Sequence, residues 1–224
     1  MNDGELTGRI RTHIADLPEP ICALHIHVIA PFLRLRQAAL ADGFDLAAHS
    51  SFRDFGRQLT IWNEKFSGVR PLLDATGSPL DAAELAPAAR IEAILLWSAL
   101  PGASRHHWGT DVDLIDRRAI ASDYRIRLTP EEFAPGGPFA ALADWLDLNA
   151  ARFGFFRPYR GIRSGVQPEP WHFSFAPVAE RARRQLTAGV LHEAIAAAPL
   201  LGKAQVLERL EALHAHYVAK IDWP

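Results

Sequence analysis

Apolar residues recur at intervals of three and four positions in several segments of the chain, the pattern of helices that pack one face on a core. Turn-forming residues end some of these segments: Gly43 follows the first, and Pro101 with Gly102 follows the third. The helices predicted in this way cover residues 31–42, 54–66, 87–100, 139–153, 178–198 and 203–221.

Other segments show the two-residue alternation of strands. Between residues 110 and 115 polar and apolar residues alternate, so that Asp111 and Asp113 lie on one side of a half-buried strand. Residues 45–49 and 171–175 are also predicted to be strands. Helices separated by short, non-adjacent strands predict an α+β domain. In it a small antiparallel sheet carries the functional site and helices flank the sheet.

The residues after Pro177 contain no motif with chemistry of its own. The last two predicted helices are separated by Pro199 and Gly202, which predicts a helical hairpin. We therefore divide the chain into a domain of residues 1–177 and a C-terminal helical extension of residues 178–224 that packs on it.

One long connection is predicted between the second and third helices. Residues 67–83 contain Gly68, Pro71, Gly77 and Pro79, which are the turn residues of an irregular loop. Two interpretations remain open for this loop: it borders a substrate groove, or it is a solvated connector.

The composition of the chain mainly excludes certain classes of protein and of metal site. The chain has 224 residues, 49% of them apolar, and a net charge of −2, so it can bury a full core and has no electrostatic reason to bind nucleic acid. The single cysteine, Cys22, permits neither an internal disulfide nor a cysteine-rich zinc site. No stretch approaches the roughly 20 apolar residues of a membrane span. The N-terminus lacks the apolar core of a secretory signal, which predicts a cytoplasmic location unless another export route is used.

Three side chains offer ligands of the kinds that a catalytic zinc ion takes: His106, Asp113 seven positions on, and the distant His172. Three protein ligands leave a fourth position for water, whose pKa falls to about 7 on such an ion. Glu169, three residues before His172, is the carboxylate placed to act as a base. The adjacent His107 leaves the first ligand ambiguous, because the residues alone do not say which imidazole faces the metal.

These residues belong to three ordered blocks of sequence. The blocks have the form Ser-x-His-x-x-Gly-x-x-x-Asp, a downstream Glu-x-x-His, and an upstream arginine with a glutamine five residues later. Their positions are Ser104, His106, Gly109, Asp113, Glu169, His172, Arg53 and Gln58. This set resembles the zinc D-alanyl-D-alanine carboxypeptidases of the VanY type and their endopeptidase relatives. In the first block only one position departs from the family, which has alanine where this chain has Asp111.

The resemblance implies a role for each matching residue. In that family the two histidines and the aspartate bind zinc, the glutamate is the general base, and the arginine lies against the carbonyl oxygen that becomes an oxyanion. Carried over, these roles fall to His106, Asp113, His172, Glu169 and Arg53. Ser104 and Gln58 are expected to bind polar groups at the end of the substrate. The phase of the motif also selects His106 over His107.

Asp111 has no counterpart in the family pattern, and three interpretations remain open for it. It binds a substrate ammonium group, it orients a ligand histidine, or it forms a surface ion pair. The first interpretation makes Asp111 a candidate substrate-binding residue.

The expected activity is the zinc-dependent removal of a C-terminal residue from a peptide that contains D-amino acids, such as a peptidoglycan peptide ending in D-Ala-D-Ala. One alternative is a lysin-like peptidoglycan endopeptidase that cuts L-Ala-D-Glu or a similar bond. Another is a zinc-containing binding module without activity. Glu169 and Arg53 argue against the binding module, because a structural metal site needs neither a base nor an oxyanion partner. The sequence leaves the oligomeric state open.

Overall fold

The computed structural model describes residues 1–162 and 165–224. Within these residues the strands are β1 (Ile14–Pro18), β2 (Ile21–His25), β3 (Leu46–Ser50), β4 (Leu72–Leu73), β5 (Pro79–Leu80), β6 (Asp111–Asp116), β7 (Phe155–Phe156) and β8 (His172–Phe175). The α-helices are α1 (Asp3–Leu6), α2 (Ile29–Ala41), α3 (Phe55–Phe66), α4 (Pro87–Trp97), α5 (Pro130–Phe133), α6 (Ala140–Asn149), α7 (Ala176–Gln185), α8 (Ala188–Ala196), α9 (Lys203–Glu208) and α10 (Leu210–Leu213). None of the described helices is long and apolar enough to cross a membrane.

A four-stranded antiparallel sheet in the order β3-β6-β8-β7 forms the centre of the fold. Val112 and Leu114 of β6 belong to a hydrophobic cluster that also contains residues of α2 and α6. Asp111 and Asp113 therefore lie on the opposite face of the strand. Asp113 pairs in register with His172 of β8. The predicted α+β class, with a small antiparallel sheet and flanking helices, is confirmed.

A second hydrophobic cluster joins α3 and α4 to the C-terminal helices. Trp62 of α3 and Ile94 of α4 share this cluster with Leu191 of α8 and Leu210 of α10. The indole N–H of Trp62 also donates to the carbonyl of Leu201, at 3.0 Å. The C-terminal helices thus share a core with the helices that precede the site.

The C-terminal helices are shorter than the two that the sequence predicts. The predicted helix at 178–198 is two helices, α7 and α8. Leu186 leaves the helical backbone at ψ 87°, and the side chain of Thr187 caps the next helix. The predicted helix at 203–221 is divided at Arg209, and its last turn is π-helical.

The sequence interpretation missed an N-terminal hairpin, in which β1 pairs with β2. Pro18 and Pro20 lie at its turn, and proline is rare inside strands, so the alternation of apolar residues is hidden. The hairpin is attached to the rest of the fold by His25, whose N–H donates to the carbonyl of Gly109 at 2.9 Å. The loop before β6 therefore lies under the hairpin.

Candidate metal centre and active site

Three buried side chains meet where β6 pairs with β8. Asp113 lies opposite His172 in the sheet, and His106 comes from the 3₁₀ turn that precedes β6. His106 Nε2 lies 3.5 Å from Asp113 Oδ2, and His172 Nδ1 lies 3.4 Å from Asp113 Oδ1. One candidate ligand atom from each residue lies within 4.8 Å of the others, which suits a single metal ion.

Each of the two histidine rings is oriented by its other nitrogen. His106 Nδ1 lies 2.8 Å from the carbonyl oxygen of Ser51. His172 Nε2 lies 2.9 Å from Asp111 Oδ1. Because these oxygens can only accept, they take the ring N–H and leave His106 Nε2 and His172 Nδ1 to serve as ligands. Partners of this kind fix the tautomer of metal-binding histidines.

The chemistry of this set fits a divalent cation. Asp113 Oδ1 is buried and has no hydrogen-bond partner in the part of the chain that the structure describes. Burial opposes ionisation of Asp113, but His106 beside it lowers its pKa to about 2. Burial also disfavours a charged His172, yet hydrogen bonds to Asp111 and Glu169 raise its pKa to about 10. The cluster therefore favours a positive charge at its centre, which a proton or a metal ion can supply.

A left-handed glycine connects the first ligand to the strand. Gly109 has a φ of +64°. A Cβ added there would lie 2.3 Å from Ile14 Cδ1 and 2.6 Å from the backbone nitrogen of His25. Any other residue would be strained and would displace the hairpin. Gly109 thus lets the chain turn between His106 and β6 beneath the hairpin.

Glu169 lies beside the proposed ligands. Its Oε2 is 3.1 Å from His172 Nδ1, the ring nitrogen that faces the cluster. The N–H of His172 donates to the carbonyl of Glu169, and the N–H of Glu169 donates to the carbonyl of Tyr159. The turn through Pro170 therefore holds carboxylate and imidazole together. The carboxylate lines a cavity, where it can accept a proton from water.

Arg53 enters the same cavity and is held by neutral partners. Its guanidinium donates to Gln58 Oε1 at 2.9 Å and to Ser50 Oγ at 3.2 Å. Burial lowers the pKa of Arg53, while Asp113 and Glu169 oppose the shift. The guanidinium remains charged, since arginine starts from a pKa above 12.

Gln58 has a different place from the one that the sequence suggests. It is fully buried and does not line the cavity. Its Oε1 accepts from Arg53, and its Nε2 donates to the carbonyl of Ala99 at 2.8 Å. Instead of facing a substrate, Gln58 links Arg53 to Ala99 in the loop that follows α4.

His107 points away from the metal cluster. Its ring is fully buried: Nε2 accepts from the N–H of Gly102 at 3.1 Å, and Nδ1 donates to the carbonyl of Arg53 at 2.6 Å. Burial lowers the pKa of His107 to about 3, so the ring is neutral. His107 therefore anchors the backbone that carries Arg53.

Asp111 is neither exposed nor part of the cavity lining. Arg105 donates to its Oδ1 at 2.8 Å, and Ser174 donates to its Oδ2 at 3.0 Å. Burial opposes ionisation, but Arg105 and His172 hold the pKa of Asp111 well below its usual range. Of the three interpretations, the orientation of a histidine is the one that this geometry supports, because Asp111 Oδ1 lies 2.9 Å from Nε2 of the candidate ligand His172. The Asp111 carboxylate is not among the groups that line the cavity, so the structure gives no support to the ammonium-binding interpretation.

The cavity beside the cluster has a volume of about 390 Å³. Ser104, the remaining candidate from the sequence, lines it. The lining also includes residues that the sequence interpretation did not single out, namely Lys65, Leu73, Thr76, Trp97, Arg127, Tyr159 and Tyr217. The residues of the 67–83 loop among them show that this loop borders the cavity. No local motif marks the others, because only folding brings their separate segments together.

Comparison with known proteins places the chain in a family. A profile described as VanY, D-alanyl-D-alanine carboxypeptidase, matches residues 22–178. An uncharacterized protein of Haemophilus influenzae is 35% identical over 121 residues, which are 53% of this chain and 92% of that protein. A D-alanyl-D-alanine carboxypeptidase of Enterococcus faecalis is 32% identical over 154 residues, which are 67% of this chain and 47% of that protein.

Solved structures agree with the sequence matches. VanYB in complex with D-alanine-D-alanine is similar with a TM-score of 0.54 and 25% identity, over 76% of this chain and 80% of that chain. A glutamate-to-alanine mutant of the vancomycin resistance D,D-pentapeptidase VanY, in complex with Zn(II), gives a TM-score of 0.51 and 27% identity, over 76% and 82% of the two chains. The family match spans most of the chain and all of its candidate site residues. The chain therefore belongs to the VanY family of D-alanyl-D-alanine carboxypeptidases.

Proposed function

We propose that this protein is a zinc-dependent D-alanyl-D-alanine carboxypeptidase that acts on peptides of the peptidoglycan type. One observation carries the proposal. Three buried ligand atoms, the Glu169 carboxylate and the Arg53 guanidinium meet at a single cavity. A base and an oxyanion partner beside the ligands support an enzyme over a binding module.

A zinc ion held by His106, Asp113 and His172 would lower the pKa of a bound water to about 7. Glu169 accepts the proton that the attacking water loses and returns it to the departing amine nitrogen. Arg53 donates to the carbonyl oxygen of the scissile bond as negative charge develops there. Ser104 supplies a hydroxyl to the polar end of the peptide.

The substrate is tested with a panel of short peptides that end in D-Ala-D-Ala or L-Lys-D-Ala, or that contain an internal L-Ala-D-Glu bond. Products are read by mass spectrometry before chelation, after chelation, and after zinc is added back. We expect release of D-alanine from D-Ala-D-Ala peptides, lost on chelation and restored by zinc. Cleavage confined to the L-Ala-D-Glu bond would instead identify an endopeptidase.

Metal content tests the ligand assignment separately from activity. We expect about one zinc per chain in the wild type. His106→Ala, Asp113→Ala and His172→Ala should each lose it. The neighbouring imidazole provides the matched control, because His107→Gln removes a ring that faces away from the cluster and should retain zinc. Loss of zinc in His107→Gln but not in His106→Ala would reverse the assignment.

A further inference from the structure

Lys65 is a partly buried cation of the cavity lining, whereas Arg127, which also lines the cavity, is exposed. Lys65 lies in the last turn of α3, and its side chain lines the cavity together with Arg53 and Glu169. Across residues 1–162 and 165–224 its ammonium group makes neither a hydrogen bond nor an ion pair. The other buried cations of the cavity are occupied: Arg53 donates to Gln58, and Arg105 donates to Asp111.

The environment of Lys65 is partly desolvated. Burial lowers the pKa of its ammonium group to about 8, while the charge of Glu169 opposes the shift and those of Arg70 and Arg53 add to it. Most molecules therefore still carry the charge at pH 7. A partly desolvated ammonium that makes no ion pair with the described residues is stabilised when a carboxylate ligand accepts a charge-assisted hydrogen bond from it.

Lys65 lies on the same helix as Gln58, the residue that holds Arg53, and this places Lys65 relative to the proposed scissile bond. Gln58, which holds Arg53, is seven residues earlier, so the two side chains lie on one face of the helix and about 10 Å apart along its axis. If Arg53 meets the carbonyl oxygen of the scissile bond, Lys65 lies further along the same cavity wall, beside another part of the bound peptide. Gln58 itself cannot bind that group, because its amide is used by Arg53 and Ala99.

We propose that the Lys65 ammonium group binds a carboxylate of the peptide substrate; this inference rests on the proposed carboxypeptidase function. Two carboxylates have the required chemistry. One is the C-terminal carboxylate of the peptide, and the other is the side chain of an acidic residue that precedes D-Ala-D-Ala. Lys65 is a substrate-binding group in either case, and it takes the role that the sequence interpretation gives to Gln58.

Three peptides distinguish the two sources. They are acetyl-L-Gln-D-Ala-D-Ala as the free acid, the same peptide as its C-terminal amide, and acetyl-L-Glu-D-Ala-D-Ala as the free acid. Steady-state kcat and KM are measured for the wild type and for Lys65→Met, Lys65→Arg and Lys220→Met. Lys220→Met is the matched control, because Lys220 is exposed and does not line the cavity.

In Lys65→Met we expect KM to rise about 10- to 100-fold, the size of a hydrogen bond to a charged group, with kcat nearly unchanged. Lys65→Arg should recover part of the loss, and Lys220→Met should behave as the wild type. Loss of the preference for free acid over amide identifies the terminal carboxylate. Loss of the preference for glutamate over glutamine identifies the acidic side chain.

Several outcomes would contradict the inference, and they differ in whether the proposed carboxypeptidase function is also contradicted. If Lys65→Met keeps both preferences of the wild type, Lys65 binds no carboxylate and the proposed carboxypeptidase function is untouched. If the wild type cuts none of the D-Ala-D-Ala peptides, the proposed carboxypeptidase function is wrong, and the role of Lys65 is wrong with it. If the wild type cuts acid and amide equally and shows no glutamate preference, the enzyme does not need a substrate carboxylate, and only the role of Lys65 is wrong.

Discussion

The two aspartates of β6 lie on one face of the same strand, but their surroundings differ. Asp111 accepts from Arg105 and Ser174 and is bound to His172, so both of its oxygens have partners. Asp113 is equally buried, yet its Oδ1 has no hydrogen-bond partner in the described part of the chain. Two positions apart on one strand, the protein thus places a carboxylate whose oxygens are both hydrogen-bonded and a carboxylate with an oxygen that can bind a ligand.

The same division extends beyond the strand. Asp111, Arg105 and Ser174 form what we call the buried network, in which the three side chains are hydrogen-bonded to one another and only Arg105 also borders the cavity. Asp113, Glu169, Arg53 and Lys65 form the cavity set, whose polar atoms face the cavity. Because an unsatisfied buried polar group is costly, natural folds keep few of them without a function. We therefore expect changes in the cavity set to affect activity and changes in the buried network to affect stability.

The largest effect is expected for Glu169→Gln. The amide keeps the shape of the side chain but cannot accept the proton, so kcat should fall about 10²- to 10⁴-fold. Zinc content and melting temperature should remain those of the wild type. Glu131→Gln, which changes a second glutamate of the cavity lining, is the control and should stay active. Near wild-type turnover of zinc-loaded Glu169→Gln would contradict the assignment of the base.

The next effect tests the buried network. Asp111→Ala leaves the guanidinium of Arg105 buried and without its carboxylate, which should lower the free energy of unfolding by about 3–5 kcal/mol. Urea denaturation of the metal-free proteins measures it. In the same experiment Asp113→Ala should lose less, because Asp113 lies beside two imidazoles and no guanidinium, and its Oδ1 has no hydrogen-bond partner in the described part of the chain. Equal losses for both aspartates would remove the distinction between the two regions.

A smaller effect is expected at Gln58, the buried residue that holds Arg53 of the cavity set. Arg53→Ala should lower kcat by about 10²-fold, the scale of one lost oxyanion donor. Gln58→Leu should lower kcat less, because Arg53 remains but loses the partner that positions its guanidinium. KM should change little. A raised KM with unchanged kcat in Gln58→Leu would show that this amide binds substrate.

The last effect concerns acid stability and is spread over several pH units. His107 has a pKa of about 3 when folded and about 6.5 when unfolded, so below pH 6.5 the unfolded chain binds the extra proton. Stability therefore falls as the pH falls from about 6.5 towards 3, by at most about 1.4 kcal/mol per pH unit from this residue. His107→Gln should show a shallower slope in urea denaturation between pH 6 and 4. An unchanged slope would show that His107 does not contribute.

The family and the fold class could be predicted because their signals are local. The ligand motif has fixed spacing between His106 and Asp113, and the strand around Asp113 alternates over six residues. The end of the helix at 54–66 was predicted to the residue, since Ser67 and Gly68 follow it directly.

The partners of Gln58 and Asp111 could not be predicted in this way. The contact of Gln58 with Ala99 spans 41 residues, and that of Asp111 with Ser174 spans 63. Such pairings depend on how helices and strands pack, and no local sequence pattern predicts them. The sequence shows the seven-residue spacing between Gln58 and Lys65, but only the hydrogen bond from Arg53 to Gln58 relates this helix face to the candidate site.

The π-helical turn near the C-terminus has a consequence for synthesis of the protein. Tyr217 and Val218 form part of the cavity wall, although the motif residues end at His172. A chain emerging from the ribosome therefore presents all of its proposed metal ligands more than 40 residues before the wall exists. Because domains generally fold as units during synthesis, the cavity is completed only after this turn has left the ribosome.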